Sequence, residues 1–218
     1  MDNKNEIHIM SFFNNPVLSI ALDLDTNKLT ELTLQIQSND TKGTTQTNRG
    51  GWQSQNVFTE GRSENLHPEF KKLKKEIHEY LQMYHDEVFN GMKFRGDITH
   101  KVINMWLNIN EKHNYNEPHI HLGCTLSGVF YIKHDGSSEH GDITFKHPKV
   151  PYLQQSHWPA GMVENHNTVT TELIHYTPSE NKLLIFPAWL EHKVDSNLKD
   201  DTRISLSFNS IPIMEKKS

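Results

Sequence analysis

From Lys101 onward the apolar residues of this chain fall into period two, and that alternation restricts the fold more than any other feature. In "KVINMWLNIN" it puts Ile103, Met105, Leu107 and Ile109 on one face. In "TRISLSFNS" it puts Ile204, Leu206 and Phe208 against Arg203, Ser205, Ser207 and Asn209. Side chains of a strand alternate between faces, so these segments read as strands with one apolar side. "TLSGVFYIKH", with Gly128 inside it, "GDITFKHP", "TTELIHY" and "KLLIFPAW" read as further strands, the last two flanking the turn "TPSEN". Many short strands in succession point to a β-sandwich or barrel.

The preceding third differs. "LHPEFKKLKKEIHEYLQMYHDEVFNG" carries Phe70, Leu73, Ile77, Leu81, Tyr84 and Val88 at steps of three and four. Pro68 suits the first turn and Gly91 follows the last periodic residue, which predicts a helix packed on the sheet. Upstream, "IHIMSFF", "VLSIALDL" and "LTELTLQIQ" alternate enough to be short strands with a helical turn, and "SNDTKGTTQTNRGGWQSQ" reads as a polar loop with Trp52 anchoring a tight turn. Residues 147–169 have little apolar periodicity, and a long loop within a run of strands is more often functional than idle. The expectation is a mainly β chain with flanking helices, one domain over 1–218, with N-terminal strands and helix over 1–95 and the β core over 96–212.

Composition bounds the function. Lys and Arg number 22 against 27 Asp and Glu, a net charge of -5, which does not favour a nucleic-acid partner. No apolar run reaches membrane-spanning length, and the first residues lack the build of a signal peptide. Cys124 is the single cysteine and has no internal partner, so the chain reads as a cytoplasmic protein with no membrane partner.

Fifteen histidines are spread through the sequence, and most must be ordinary packing or surface residues. Two stand apart in "EPHIHLG": His119 and His121, one residue apart, share a strand face. His192 lies far downstream in "FPAWLEHKV", and Arg203 follows it by eleven residues, with Ser205 on the same strand face as Arg203. Neutral imidazole is the commonest metal ligand, and three such ligands leave open coordination positions. An arginine fork beside a serine hydroxyl can grip a carboxylate. Together they would hold an anionic acid whose other end reaches the metal. The bland alternatives are a structural His-x-His pair and an Arg203 that pairs with Asp200 or Asp201 at the surface. A competitor ligand pair is "HGD", His140 and Asp142, which spells the usual first half of a two-histidine, one-carboxylate triad. It ranks below His119 and His121 because "IKHDGSSE" before it reads as a hairpin tip.

With these residues in view, the chain resembles the 2-oxoglutarate- and Fe(II)-dependent oxygenases, more closely a branch found in bacteria and phages. The matching stretches are "NRGGWQS", "WLNINEKHNYNEPHIH", "LSGVFYI", "GDITFKHP", "LLIFPAWLEHKV" and "RISLSFN", in the family's order over about residues 48 to 209. The resemblance implies a double-stranded β-helix, or jelly roll, with Fe(II) at its mouth and 2-oxoglutarate as cosubstrate. It implies His119, His121 and His192 as iron ligands, and Arg203, Ser205 and Tyr131 as the grip on the cosubstrate's far carboxylate. It also argues against "HGD" as the ligand pair. His121 departs from the superfamily's usual Asp or Glu, so the ligand set carries no charge. The implied activity is dioxygenase chemistry, hydroxylation of a small molecule or a modified side chain. The readings set against it are a cupin-like three-histidine enzyme without 2-oxoglutarate, which lacks the expected glutamate (Thr125 and Leu126 lie there), and a non-catalytic jelly-roll module.

Overall fold

A computed structural model of the chain describes residues 14–57, 67–150 and 163–214. "IHIMSFF", Tyr152, His157 and Trp158 lie outside the described residues. Among those described, the order is β1 (Leu18–Ala21), α1 (Thr26–Asn39), β2 (Asn48–Arg49), β3 (Trp52–Gln53), α2 (Pro68–Val88), β4 (Ile98–Asn110), β5 (Tyr115–His119), β6 (Leu126–Lys133), β7 (Ile143–Lys146), β8 (Leu173–Tyr176), β9 (Lys182–Pro187), β10 (His192–Val194) and β11 (Arg203–Met214). No described helix is long and apolar enough to cross a membrane.

The strands form two antiparallel sheets, β1-β9-β6-β11-β4-β3 and β2-β5-β10-β7-β8. From β4 to β11 the chain passes back and forth between them, which is a jelly roll. The N-terminal strands are built into both sheets: β1 pairs with β9, β2 with β5 and β3 with β4. Gly50 and Gly51 carry the chain from β2 in one sheet to β3 in the other. A Cβ on Gly51 would stand 2.6 Å from Asn110 Nδ2 and 2.7 Å from Ile109 O, so only glycine fits this crossing. The anchoring of Trp52 is a hydrogen bond from its indole N–H to Asp40 O, 2.6 Å.

Packing follows the expected alternation. Phe70, Leu73, Ile77, Leu81 and Tyr84 of α2 are buried in one cluster with Met105, Leu107 and Ile109 of β4 and Ile204, Leu206 and Phe208 of β11. The helices cover one face of the larger sheet; the other faces the smaller sheet. Two expectations need correction. "LTELTLQIQ" is not a strand but lies within α1, where Asp25 caps the first turn by accepting from the Lys28 N–H at 2.9 Å. Leu29, Leu32, Thr33 and Ile36 then lie on one side at helical spacing, and this stripe is packed against the α2 cluster or buried. Ile103 is 38 % exposed and does not continue the apolar face of β4. Asn209 faces Asn104 and Ser210 faces Val102, so Ile103 is the extra residue of a β-bulge, and the bulge switches which side chains point to the helices.

Gly128 answers the oddity of a glycine inside β6. A Cβ there would meet the Phe208 ring at 2.3 Å and Leu184 O at 2.5 Å. We expect Gly128→Ala to lower stability by about 1–3 kcal/mol through overpacking, read as a fall in the urea midpoint; an unchanged midpoint would contradict this packing.

Candidate metal centre

β5 and β10 are neighbours in the smaller sheet, and their register sets His119 directly opposite His192. The two histidines do not share one strand as expected: His119 closes β5, and His121 lies just beyond it, tied down by its own N–H, which donates to Ala188 O at 2.9 Å. Ring centroids are 4.4 Å apart for His119 and His192, 5.0 Å for His119 and His121, and 5.2 Å for His121 and His192. One ring nitrogen from each lies within 4.8 Å of the others, close enough for one ion.

The rings are prepared as ligands by their backbone partners. His119 Nδ1 donates to Glu117 O at 2.6 Å, and His192 Nδ1 donates to Leu190 O at 2.8 Å. A carbonyl only accepts, so Nδ1 carries the proton and Nε2 keeps its lone pair. Burial, together with repulsion from His119, lowers the pKa of His121 to about 4; burial and both neighbouring histidines lower that of His192 to about 3; burial lowers that of His119 too. All three are therefore neutral bases at physiological pH.

The other end of the same cavity holds a buried cation. Arg203, the first residue of β11, is 2 % exposed. Its Nη1 donates to His140 O at 2.8 Å, Asp195 O at 3.1 Å and Gly141 O at 3.4 Å. The surface pairing considered for it does not occur: Asp200 pairs with Lys112 and Asp201 with Lys133. Burial pulls the Arg203 pKa down to about 10, which still leaves it charged. Its Nη2 is buried with no hydrogen-bond partner among the described residues, and so is the hydroxyl of Tyr131, whose ionisation burial suppresses. Ser205 stands opposite Tyr131 in the ladder. Arg203, Ser205, Tyr131, His119, His121 and His192 all line one cavity. Two buried donors without acceptors and three open imidazole nitrogens in one cavity fit an acid whose carboxylate meets the donors and whose other end meets an ion.

"HGD" has a different place from the one expected. It is not a hairpin tip: His140 ends a short 3₁₀ turn and is fully buried. Both its nitrogens are used, Nδ1 accepting from the Asp135 N–H at 3.1 Å and Nε2 donating to Asp201 O at 3.2 Å. The second convergence of ligating side chains among the described residues, His134, Asp135 and His140, is likewise saturated, since His134 accepts from the Gly136 N–H and donates to Gly141 O. The stretch instead cradles the arginine. Gly141 has φ +99°, and a Cβ there would lie 1.8 Å from Arg203 Nη1.

Residues not singled out in the sequence complete the cavity. Trp106, Asn108 and Asn110 alternate on the inner face of β4, and Asn116 lies on β5. Asn110 donates to Asn48 Oδ1 at 2.7 Å and Asn108 to Ser207 Oγ at 3.2 Å. Their signal was present in "NMWLNIN": a period-two strand whose second face is amide and tryptophan rather than charge.

The model of the family described as "Putative 2OG-Fe(II) oxygenase" matches residues 104–209, the stretch that holds His119, His121, Tyr131, His192, Arg203 and Ser205. No curated protein matches the chain in sequence. Among solved structures it is similar to a Pseudomonas putida prolyl-4-hydroxylase, at 12 % identity over 90 % of this chain and 93 % of that one, with TM-score 0.57. It is also similar to HygX from Streptomyces hygroscopicus, solved with nickel, 2-oxoglutarate and hygromycin B, at 11 % identity over 90 % and 82 % of the two chains, TM-score 0.58. A third is the viral collagen prolyl hydroxylase of Paramecium bursaria Chlorella virus-1 with 2-oxoglutarate, at 12 % identity over 89 % and 94 %, TM-score 0.53. At such identities the likeness is one of fold.

Two expectations follow from the geometry. Because burial holds the pKa of all three histidines below the ordinary histidine value, metal affinity should stay level from about pH 8 through about pH 6.5 and begin to fall only at lower pH. A decline already under way above about pH 6.5, the ordinary histidine pKa, in a pH series of metal titrations would contradict it. Gly141→Ala should leave metal content unchanged yet weaken 2-oxoglutarate binding at least about tenfold, read by calorimetry, because the guanidinium loses its seat.

Proposed function

We propose that this chain is a 2OG-Fe(II) oxygenase, a reading supported by the family model that matches residues 104–209, with iron held by His119, His121 and His192 and 2-oxoglutarate by Arg203, Ser205 and Tyr131. The observation that carries this assignment is the pair of buried donors without acceptors, Arg203 Nη2 and Tyr131 Oη, in the cavity that also holds the three imidazoles. Burying a guanidinium with no carboxylate partner costs several kcal/mol, and a carboxylate ligand is the group that offsets it.

Bound in this site, Fe(II) with 2-oxoglutarate would supply the oxidation by dioxygen, with succinate and CO2 as co-products. The chain's own residues bind and orient. His119 and His192 present Nε2 because Glu117 O and Leu190 O hold their Nδ1 protons. Arg203 offers its free nitrogen to the far carboxylate, and Tyr131 and Ser205 add hydroxyl hydrogen bonds on the same strand faces. Fixing that tail points the keto-acid end towards the imidazoles, a positioning effect. The three neutral histidines would leave the charge of a bound ion uncompensated, and Arg203 beside them would favour a dianionic cosubstrate. We read the chain as a single-domain hydroxylase of a small molecule or a side chain, working in the cytoplasm.

The test is direct. His119→Ala and His192→Ala should abolish Fe(II) binding, whereas Arg203→Ala should keep iron and lose about 10- to 100-fold in 2-oxoglutarate affinity, the scale of one charged hydrogen-bonding group. Iron retained by His192→Ala would overturn the ligand set, and unchanged affinity in Arg203→Ala would overturn the grip.

A further inference from the structure

A second cavity opens on the other side of the histidines. His119, His121 and Trp106 line both it and the first one. β4 and β11 supply its floor, as they supply the arginine end: the cross-strand pairs run from Arg203 with Asn110 to Asn209 with Asn104. Its walls come from the 44–56 segment. The described lining residues contribute six side-chain amides, three hydroxyls and one indole, with no carboxylate, ammonium or guanidinium.

Some of these amides are structural. Asn56 Oδ1 accepts from the Met105 N–H and Asn209 Oδ1 from the Ser127 hydroxyl. Others are open. Asn104 Oδ1 is buried without a hydrogen-bond partner among the described residues. Gln53 is 5 % exposed, and its amide makes no hydrogen bond among the described residues. Gln46 and Gln55 add two exposed amides at the rim. Trp106 belongs to neither apolar cluster found among the described residues, and its ring lies 5.9 Å from that of His121.

We propose that this groove seats an uncharged saccharide, one ring of it on the Trp106 indole, as the substrate presented to the histidine centre; this rests on the assignment of His119, His121 and His192 given above. A side-chain amide both donates and accepts, as a sugar hydroxyl does, so a cluster of free amides matches a polyhydroxylated ligand. The indole face suits the C–H face of a sugar ring, and its N–H remains a donor. An acidic or basic substrate would be desolvated here with no ionised side chain among the described lining residues to meet it. A peptide would need apolar pockets for its side chains, and besides Trp106 the described lining offers only Ile120.

The experiment uses the full chain without iron, titrated with a panel of neutral, acidic and amino oligosaccharides and uncharged peptides, followed by calorimetry and tryptophan fluorescence. Neutral saccharides should bind, quenching fluorescence. Trp106→Ala should weaken them about tenfold or more, Trp106→Phe should keep most of the affinity, and Asn104→Asp should weaken them with thermal stability retained. His192→Ala should bind saccharide as the parent does, so loss of the iron assignment and loss of the groove are read separately. Binding of no neutral saccharide, stronger binding of a charged sugar or a peptide, or affinity indifferent to Trp106 would each overturn the proposal.

Discussion

The interaction on which most of this arrangement depends is the burial of the Arg203 guanidinium. A cation with 2 % of its surface exposed and no carboxylate bonded to it is an expensive thing to fold around. Three backbone carbonyls, of His140, Gly141 and Asp195, meet its Nη1 and leave Nη2 unmet. Holding those carbonyls in place requires the buried 3₁₀ turn before β7, with both His140 nitrogens bonded to the backbone, and requires glycine at 141, where a side chain would occupy the guanidinium's space. The β4–β11 ladder then fixes the height of the arginine relative to everything else that faces inward.

That ladder also divides the interior by charge. At one end stand Arg203 and Tyr131; at the other stand amides and an indole; the histidines lie between, on β5 and β10 and in the residues just beyond β5. The imidazoles stay neutral because burial and mutual repulsion both oppose protonation. On the proposed reading, an anion is drawn to the arginine end by the only strong positive field in the described cavity, and the amide end is left to a ligand without charge.

Much of this was legible in the sequence, and the misses have local causes. The stripe of α2 and the alternation of Arg203 and Ser205 against Ile204 and Leu206 follow from periodicity, whereas the set His119, His121 and His192 came from the family resemblance, and the structure brings the three rings together. The α1 segment misled because Leu, Thr and Ile in "LTELTLQIQ" satisfy period two and period 3.6 at once, and the deciding signal was the Asp25 cap upstream of it. Ile103 misled because a bulge depends on how β4 and β11 pair, which no single segment reveals. "HGD" has the spelling of a ligand pair, yet its role is set by the distant Arg203 packing against Gly141. The inner amides of β4 were visible as a polar face, but only the pairing of two sheets makes that face interior.

The most direct test of the central claim is an anaerobic titration of the metal-free protein with Fe(II) and then 2-oxoglutarate, followed through the weak visible charge-transfer band of the iron chelate. The account predicts a saturable band at one equivalent of each, absent in His192→Ala and requiring far more 2-oxoglutarate in Arg203→Ala. Tight iron binding without a band would contradict it, because the three histidines would then serve a chemistry in which the buried arginine has no part.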